Sequence, residues 1–194
     1  MDGQLHLIAD ATDEPVTLAE AKAQLRVDID ADDDLITGLI TAARQMVEQV
    51  TRRALLSQDW ELRLEKFPGE SVIELPLAPL QSVSAITYID KLNVSHTLAA
   101  STYQVDAAST PGRVALVEGE SWPGDTLRAL GGVQIAFTAG WTSADAVPQA
   151  IRQALLLLVG HLYENREAVT DTRVLQTTPL AFEYLLWPWR VLTW

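Results

Sequence analysis

The stretch DDDLITGLITAARQMVEQVTRRALLSQDWELRLEKF, residues 32–67, changes its hydrophobic period partway along. Its first part repeats apolar residues at helical spacing, which predicts an amphipathic helix over about residues 33–53, with aspartates at its positively polarised N-terminal end. In the closing letters WELRLEKF, apolar and charged residues alternate, as they do in a half-buried strand. The sequence therefore predicts a helical part that is followed by β structure.

Both flanks extend this pattern. In VTLAEAKAQLRV, Thr17 and Glu20 have the spacing of a capping box, which predicts a short helix over about residues 17–26. Short β-rich runs broken by glycine and proline predict an antiparallel sheet or small barrel of about six strands over residues 57–141. Helical spacing returns after Pro148 in a segment that is apolar nearly all round. Such a helix must be covered on several faces, either by the first two helices or by neighbouring subunits.

The order of these elements predicts an α+β fold. We expect a small helical bundle with an antiparallel β-rich insertion between its second and third long helices, and an extended C-terminal arm. The expected divisions are residues 1–56 for the N-terminal part of the helical domain, 57–145 for the insertion, 146–168 for the long apolar helix that completes the helical domain, and 169–194 for a linker and docking arm.

Composition narrows the classes of function. The chain has 14 basic and 26 acidic residues, a net charge of −12, so its average surface repels nucleic acid and tight DNA binding is not expected. The chain has no cysteine, which excludes disulfides and thiolate metal sites. Its start lacks the pattern of a secretion signal, and no apolar run approaches the length of about 20 residues that spans a bilayer. We expect a soluble intracellular protein with no membrane partner.

The motifs for metal and catalytic chemistry are incomplete. Asp28, Asp30 and Asp32 have the 1, 3, 5 spacing of a calcium loop, but Asp33 and Leu39 stand where that loop requires glycine and glutamate. The letters GESWPG lack the final glycine of a nucleophile elbow, the three histidines are far apart, and the common phosphate-binding loops are absent. We therefore expect no cofactor, no metal and no enzyme.

One alternative function remains open at this stage. Trp60, Trp122 and Trp141 could line a cleft in the β-rich insertion, which would suit a small acidic hydrolase or a module that binds a carbohydrate or another ligand. Packing in the β core explains the same three residues.

The C-terminal letters AFEYLLWPWRVLTW, residues 181–194, concentrate three tryptophans where a disordered tail would expose them to water. The segment either folds back on its own helices or docks on a partner, with the indoles as anchors and Arg190 as a polar contact. The candidate partner-binding residues are Tyr184, Leu185, Trp187, Trp189, Arg190, Leu192 and Trp194.

Several strings occur in a fairly specific joint order over nearly the whole chain. They are EPVTLAEAKAQLRVD (14–28), DDDLITGLITAARQMVEQVTRRAL (32–55), LPLAPLQSVSAITYID (75–90), SWPG (121–124), FTAGW (137–141), VPQAIRQALLLLVGHLYENREA (147–168) and LLWPWR (185–190). In this order the chain resembles the head-tail connector proteins, also called adaptor or head-completion proteins, of long-tailed double-stranded DNA phages and of gene transfer agents.

This resemblance implies a structural assembly protein. Such connectors form a homo-oligomeric ring, typically a dodecamer, beneath the capsid portal, and double-stranded DNA passes through it without sequence-specific binding. Tail-side stopper or tail terminator proteins dock below the ring. The C-terminal segment commonly reaches towards the portal, which would make the portal the partner of the candidate residues named above. The implied location is the host cytoplasm during assembly and then the head-tail interface of the particle.

The physics of a DNA conduit adds a second candidate surface. A channel through which polyphosphate slides is better acidic than basic, because a basic lumen would hold the DNA. We therefore expect the acidic segment to face the channel or a neighbour's basic residues. In the letters YENREA, residues 163–168, Glu164 and Arg166 either lie at the solvated end of a helix or form polar pairs across a subunit boundary. The candidate residues for the channel or subunit interface are Asp28, Asp30, Asp32, Asp33, Asp34, Glu164 and Arg166.

Overall fold

The computed structural model describes residues 3–124, 126–166 and 180–192. The chain divides into two units: a β unit, whose described residues lie within 3–11 and 57–141, and a helical unit, whose described residues lie within 12–56 and 142–192. The expected linker over residues 169–179 lies outside the described residues. Helices together with antiparallel sheets confirm the predicted α+β class.

The described part of the helical unit contains four α-helices. They are α1 (Leu18–Leu25), α2 (Asp33–Thr51), α3 (Gln149–Glu164) and α4 (Leu180–Leu186). The capping box forms at the start of α1, where the backbone N–H of Glu20 donates to Thr17 Oγ1 and the Glu20 carboxylate accepts from the backbone N–H of Thr17. The predicted bounds of α1 and α2 agree with the observed bounds to within two residues.

One side of helix α3 is covered within its own chain. It buries five apolar side chains and packs against α1, α2 and α4. Of the two sources of cover that its sequence left open, the N-terminal helices supply much of this cover, and α4 adds Phe182 and Leu186, both buried. Leu156, Leu157 and Leu162 of the same helix remain half-buried.

A buried arginine joins three parts of the helical unit. The side chain of Arg44, in the middle of α2, is only 3% exposed. Its Nε donates to Glu14 Oε2 at 3.0 Å and its Nη1 donates to Glu48 Oε2 at 3.2 Å. The other oxygen of Glu14 accepts from Thr41 Oγ1, and the other oxygen of Glu48 accepts from the backbone N–H of Leu55. A buried guanidinium requires such partners, since removing them would leave an uncompensated charge.

The β unit, over its described residues, contains eight strands in two antiparallel sheets. They are β1 (Gly3–Ala9), β2 (Gln58–Leu64), β3 (Val72–Glu74), β4 (Leu80–Ile89), β5 (Ser95–Thr97), β6 (Tyr103–Asp106), β7 (Arg113–Leu116) and β8 (Val133–Ala139). The larger sheet has the order β1-β2-β8-β4-β5 and the smaller one the order β3-β7-β6. The central strand β8 buries alternate residues, Val133, Ile135, Phe137 and Ala139, as a period of two requires.

Three features differ from the sequence-based expectations. Residues 3–9, expected in the helical part, form β1 and belong to the β unit, because their pairing partners in β2 lie 50 to 61 residues away. Residues 57–141 contain seven strands, where about six were expected. The C-terminal segment, expected as an extended arm, is helical over residues 180–189, since its apolar residues pack on α2 and α3.

We expect Arg44→Ala to destabilise the protein by about 3 to 5 kcal/mol, because it leaves two carboxylates without their shared buried cation. The free energy of unfolding from urea denaturation measures this loss. The matched control is Gln45→Ala, which replaces the adjacent, exposed residue of α2 and should change stability by no more than about 0.5 kcal/mol. Equal effects of the two substitutions would contradict the role assigned to Arg44.

Candidate functional site

The C-terminal segment is fixed to the end of α2. Phe182, Leu186 and Val191 are buried, so one face of the segment belongs to the core of the helical unit. The backbone N–H of Val191 donates to the carbonyl oxygen of Thr51 at 2.9 Å, and Arg53 Nε donates to the carbonyl oxygen of Trp189 at 2.6 Å. These contacts hold the segment in one conformation.

The opposite face of the same segment lies in solvent. Tyr184 is 76% exposed, Trp187 70% and Leu192 71%. The guanidinium of Arg190 lies 5.6 Å from the centroid of the Trp187 ring, a cation–π distance. We call these four residues, Tyr184, Trp187, Arg190 and Leu192, the C-terminal patch. Because the backbone beneath the patch is already ordered, a partner that covers it has little ordering cost to offset.

The two interpretations of the segment therefore apply to different residues. Phe182, Leu186 and Val191 fold back on the protein's own helices, whereas the C-terminal patch is uncovered. Leu185 and Trp189 are half-buried. Trp194, also a candidate, lies outside the described residues.

The acidic segment, residues 28–34, joins α1 to α2 and is partly neutralised by its own chain. Lys22 Nζ contacts Asp30 Oδ1 at 2.8 Å and Asp33 Oδ1 at 2.7 Å. The pKa of Asp30 is lowered by the hydrogen bond from Lys22. Asp28 and Asp34 are exposed.

Asp32 connects this segment to the end of α3. Its Oδ2 accepts hydrogen bonds from the hydroxyl of Tyr163 and from Nη2 of Arg166, the latter at 2.9 Å. The Tyr163 hydrogen bond, followed by that from Arg166, holds the pKa of Asp32 below its usual value. Arg166 also lies 4.2 Å from the centroid of the Tyr163 ring and donates to the Tyr163 carbonyl. Arg166 thus contacts its own helix end within one chain, and Glu164 is exposed.

The three candidate tryptophans of the β unit are half-buried. Trp122 stacks on Phe67 with ring centroids 4.9 Å apart, and its Nε1 donates to the carbonyl oxygen of Glu70. Trp60 Nε1 donates to Gln58 Oε1, and Trp141 is half-buried. Among the described residues, no group of three or more histidine, aspartate or glutamate side chains is placed to hold a metal ion. No helix in the described ranges is long and apolar enough to cross a membrane.

Comparison with known proteins identifies a family. The family model for phage gp6-like head-tail connector proteins matches residues 15–111, which are 97 of the 194 residues and thus half of the chain. Comparison with curated protein sequences finds no match.

Solved structures match the whole fold. A chain in the neck of an empty gene transfer agent particle, computed with C6 symmetry, has a TM-score of 0.81 at 24% identity. A chain in the virion of a native gene transfer agent particle has a TM-score of 0.81 at 25% identity. A third, in the neck of a native particle computed with C12 symmetry, has a TM-score of 0.74 at 26% identity. Each alignment covers 98% of this chain and 97% of the other.

Because the pKa of Asp32 is lowered, the stabilisation that its bonds to the end of α3 provide depends on pH. A carboxylate with a lowered folded-state pKa stabilises the fold above its unfolded value of about 3.9, and this contribution is lost as the pH falls through the folded-state pKa. We therefore expect Asp32→Asn to lower the melting temperature at pH 7. The melting temperatures of the variant and of the unsubstituted protein should converge as the pH falls below about 4. Thermal melts across this range measure both effects.

The control for this series is Asp28→Asn, which replaces an exposed aspartate of the same segment. It should leave the melting temperature nearly unchanged at pH 7. If the difference in melting temperature between the Asp32→Asn variant and the unsubstituted protein stayed constant from pH 7 to pH 2, the stabilising role of the ionised Asp32 would be contradicted.

Proposed function

The chain belongs to the phage gp6-like head-tail connector family and is a structural connector, and on that premise we propose that it forms a ring beneath the capsid portal. The neck structures with C6 and C12 symmetry contain similar chains, which supports a ring and favours a dodecamer. In this proposal the protein acts at the head-tail interface of a phage or gene-transfer particle after assembly in the host cytoplasm. It has no catalytic role and needs no cofactor.

The observation that carries the proposal is the exposure of the C-terminal patch on an ordered support. A tryptophan buries about 150 to 250 Å² when it is fully covered, so Trp187 leaves a large apolar area available to a partner. Tryptophan, tyrosine and arginine are the residue types enriched among binding hot spots. We assign this patch to the portal, and we assign Leu185, Trp189 and Trp194 to the same contact.

A ring multiplies the effect of each patch. When copies occupy neighbouring sites of one portal, contacts between them hold each patch near its own site at high effective concentration. A modest affinity per copy then suffices for stable attachment of the ring.

The acidic segment is assigned to the channel or to the boundary between copies. Its five aspartates exceed the two cations that contact them, Lys22 and Arg166, so the segment keeps a net negative charge. Asp28 and Asp34 are exposed and carry that charge to the surface. A negative surface does not retain polyphosphate, and DNA can pass it without forming salt-dependent contacts. Tail-side stopper or terminator proteins would dock on the other end of the ring.

A substitution in the C-terminal patch tests the portal assignment. We expect Trp187→Ala to weaken binding to the portal of the same particle by about 10- to 100-fold, the range typical of a hot-spot anchor. Its fold should persist, because the side chain lies mostly in solvent. Binding to immobilised portal measures the affinity, and circular dichroism checks the fold.

The matched control is Leu92→Ala, a similarly exposed apolar residue of the β unit. It should bind the portal as the unsubstituted protein does. Undiminished binding by a folded Trp187→Ala protein would overturn the assignment of the patch to the portal.

Reversing charge in the acidic segment tests the channel assignment. We expect the double variant Asp28→Lys, Asp34→Lys to slow DNA release from assembled particles, and raising the salt concentration should relieve the delay, because lysines in a channel attract phosphate. The double variant Glu74→Lys, Glu118→Lys carries the same charge change on exposed residues of the β unit and should release DNA normally. Equal release by all three proteins would remove the acidic segment from the channel.

A further inference from the structure

Strand β1 lies at an open edge of the larger sheet. One side of β1 pairs with β2 from Gly3 to Ala9, and no other strand among the described residues pairs with its second side. The backbone groups on that second side are therefore available to a further strand. At about 3.4 Å per residue, the seven residues of β1 offer an edge roughly 24 Å long.

This edge lacks most of the protections that sheet edges usually carry. Its sequence, GQLHLIA, contains no lysine, no acidic residue and no proline, which are the residues that commonly block unwanted pairing. Leu7 is 46% exposed and Ile8 62%. A shift in register between Leu7 and Ala9 is the one irregularity of its pairing with β2. An edge of this kind favours the addition of a strand.

The strand at the opposite edge of the same sheet also contains no formally charged residue, although the carboxylate of the nearby Asp90 lies 3.1 Å from His96 Nε2. Strand β5, Ser95–Thr97, pairs with β4 and forms that edge. Its three residues, Ser95, His96 and Thr97, include no lysine, arginine, aspartate or glutamate. In a chain with a net charge of −12, two copies repel each other over most of their surfaces, and contact between them is least unfavourable where both surfaces are uncharged.

We infer that β1 of one copy pairs with β5 of the next copy, so that the larger sheet continues from subunit to subunit. This inference rests on the proposed ring, in which each copy must present two different surfaces to its two neighbours. The two edges of one sheet are two such surfaces. Pairing of β1 with a second β1 would instead give a closed two-fold dimer, which does not propagate around a ring.

The small size of the contact has a consequence for assembly. Strand β5 has three residues, so the pairing involves only a few backbone hydrogen bonds and a limited apolar area around Ile8. Specific interfaces that persist in solution generally bury more than about 1,000 Å² in total. The edge contact falls short of that size, so the isolated chain stays monomeric and the contact forms when the portal holds neighbouring copies side by side.

A charge placed on the β1 edge tests the inference. We expect Ile8→Lys to bind a single portal site as before but to reduce the number of copies bound per portal by at least half, because a lysine on an edge strand opposes pairing. Mass photometry of portal saturated with the full-length protein counts the copies. Leu130→Lys, at a loop residue of the β unit that is 74% exposed, carries the same charge and should assemble normally.

Crosslinking supplies a second measurement that does not depend on loss of assembly. Since the natural chain has no cysteine, the double variant Ile8→Cys, Thr97→Cys contains the only two thiols. On the portal, a short bis-maleimide should convert it into a ladder of linked copies, whereas Ile8→Cys, Leu130→Cys should yield none.

The outcomes separate the inference from the proposed function. If the unsubstituted protein forms rings on the portal but Ile8→Lys also does so and the β1–β5 crosslinks are missing, the edge inference is overturned and the connector ring stands. If Ile8→Cys links instead to the portal or to a tail-side protein, β1 binds a different partner and the inference is equally overturned. If the unsubstituted protein neither binds the portal nor forms rings, the proposed function itself is overturned.

Discussion

The helical unit depends on one buried charge. Arg44 is enclosed in the middle of α2, and its guanidinium donates hydrogen bonds to Glu14, ahead of α1, and to Glu48, one turn further along α2. Glu48 in turn accepts the backbone N–H of Leu55, in the segment that leads out of the helix. The same ion cluster therefore fixes the entry to α1, the body of α2 and the exit towards the sheet. A hydrophobic residue in place of Arg44 could fill the space but would leave these three elements without a shared polar partner.

The C-terminal segment combines two roles that residue type alone does not separate. Phe182 and Leu186 are buried against the helical unit, while Tyr184 and Trp187 on the other side of the same segment remain in solvent. A partner thus meets aromatic side chains on a segment that is bonded to Thr51 through the backbone of Val191 and to Arg53 through the backbone of Trp189. The ordering that a flexible tail would undergo on binding has already occurred during folding, which leaves more of the interaction free energy for affinity.

The features that could be predicted from the sequence are those whose interacting residues lie close together in the chain. The helices were predictable because the capping box of Thr17 and Glu20 and the 3.6-residue period of α2 are local patterns. Strand β1 was not, since its polar and apolar residues alternate only over Gln4–Leu7 and its structure depends on pairing with the distant strand β2. The aspartates of the acidic segment were recognised as a cluster, but their partners were not, because Arg166 is 134 residues away from Asp32. The division of the aromatic residues between a buried and an exposed face likewise required the packing of α4.

Helix α2 places the two proposed contact regions at opposite ends of one rigid element. Its first turn adjoins the acidic segment, and its last residue, Thr51, accepts the hydrogen bond that anchors the C-terminal segment. Nineteen residues at 1.5 Å per residue give a length of about 28 Å. An α-helix with its core packed on one side resists both stretching and bending. The distance between the anchor of the C-terminal segment and the aspartates of the acidic segment is therefore fixed within the subunit. A tilt of the helix at its portal-binding end consequently displaces the acidic segment at the other end.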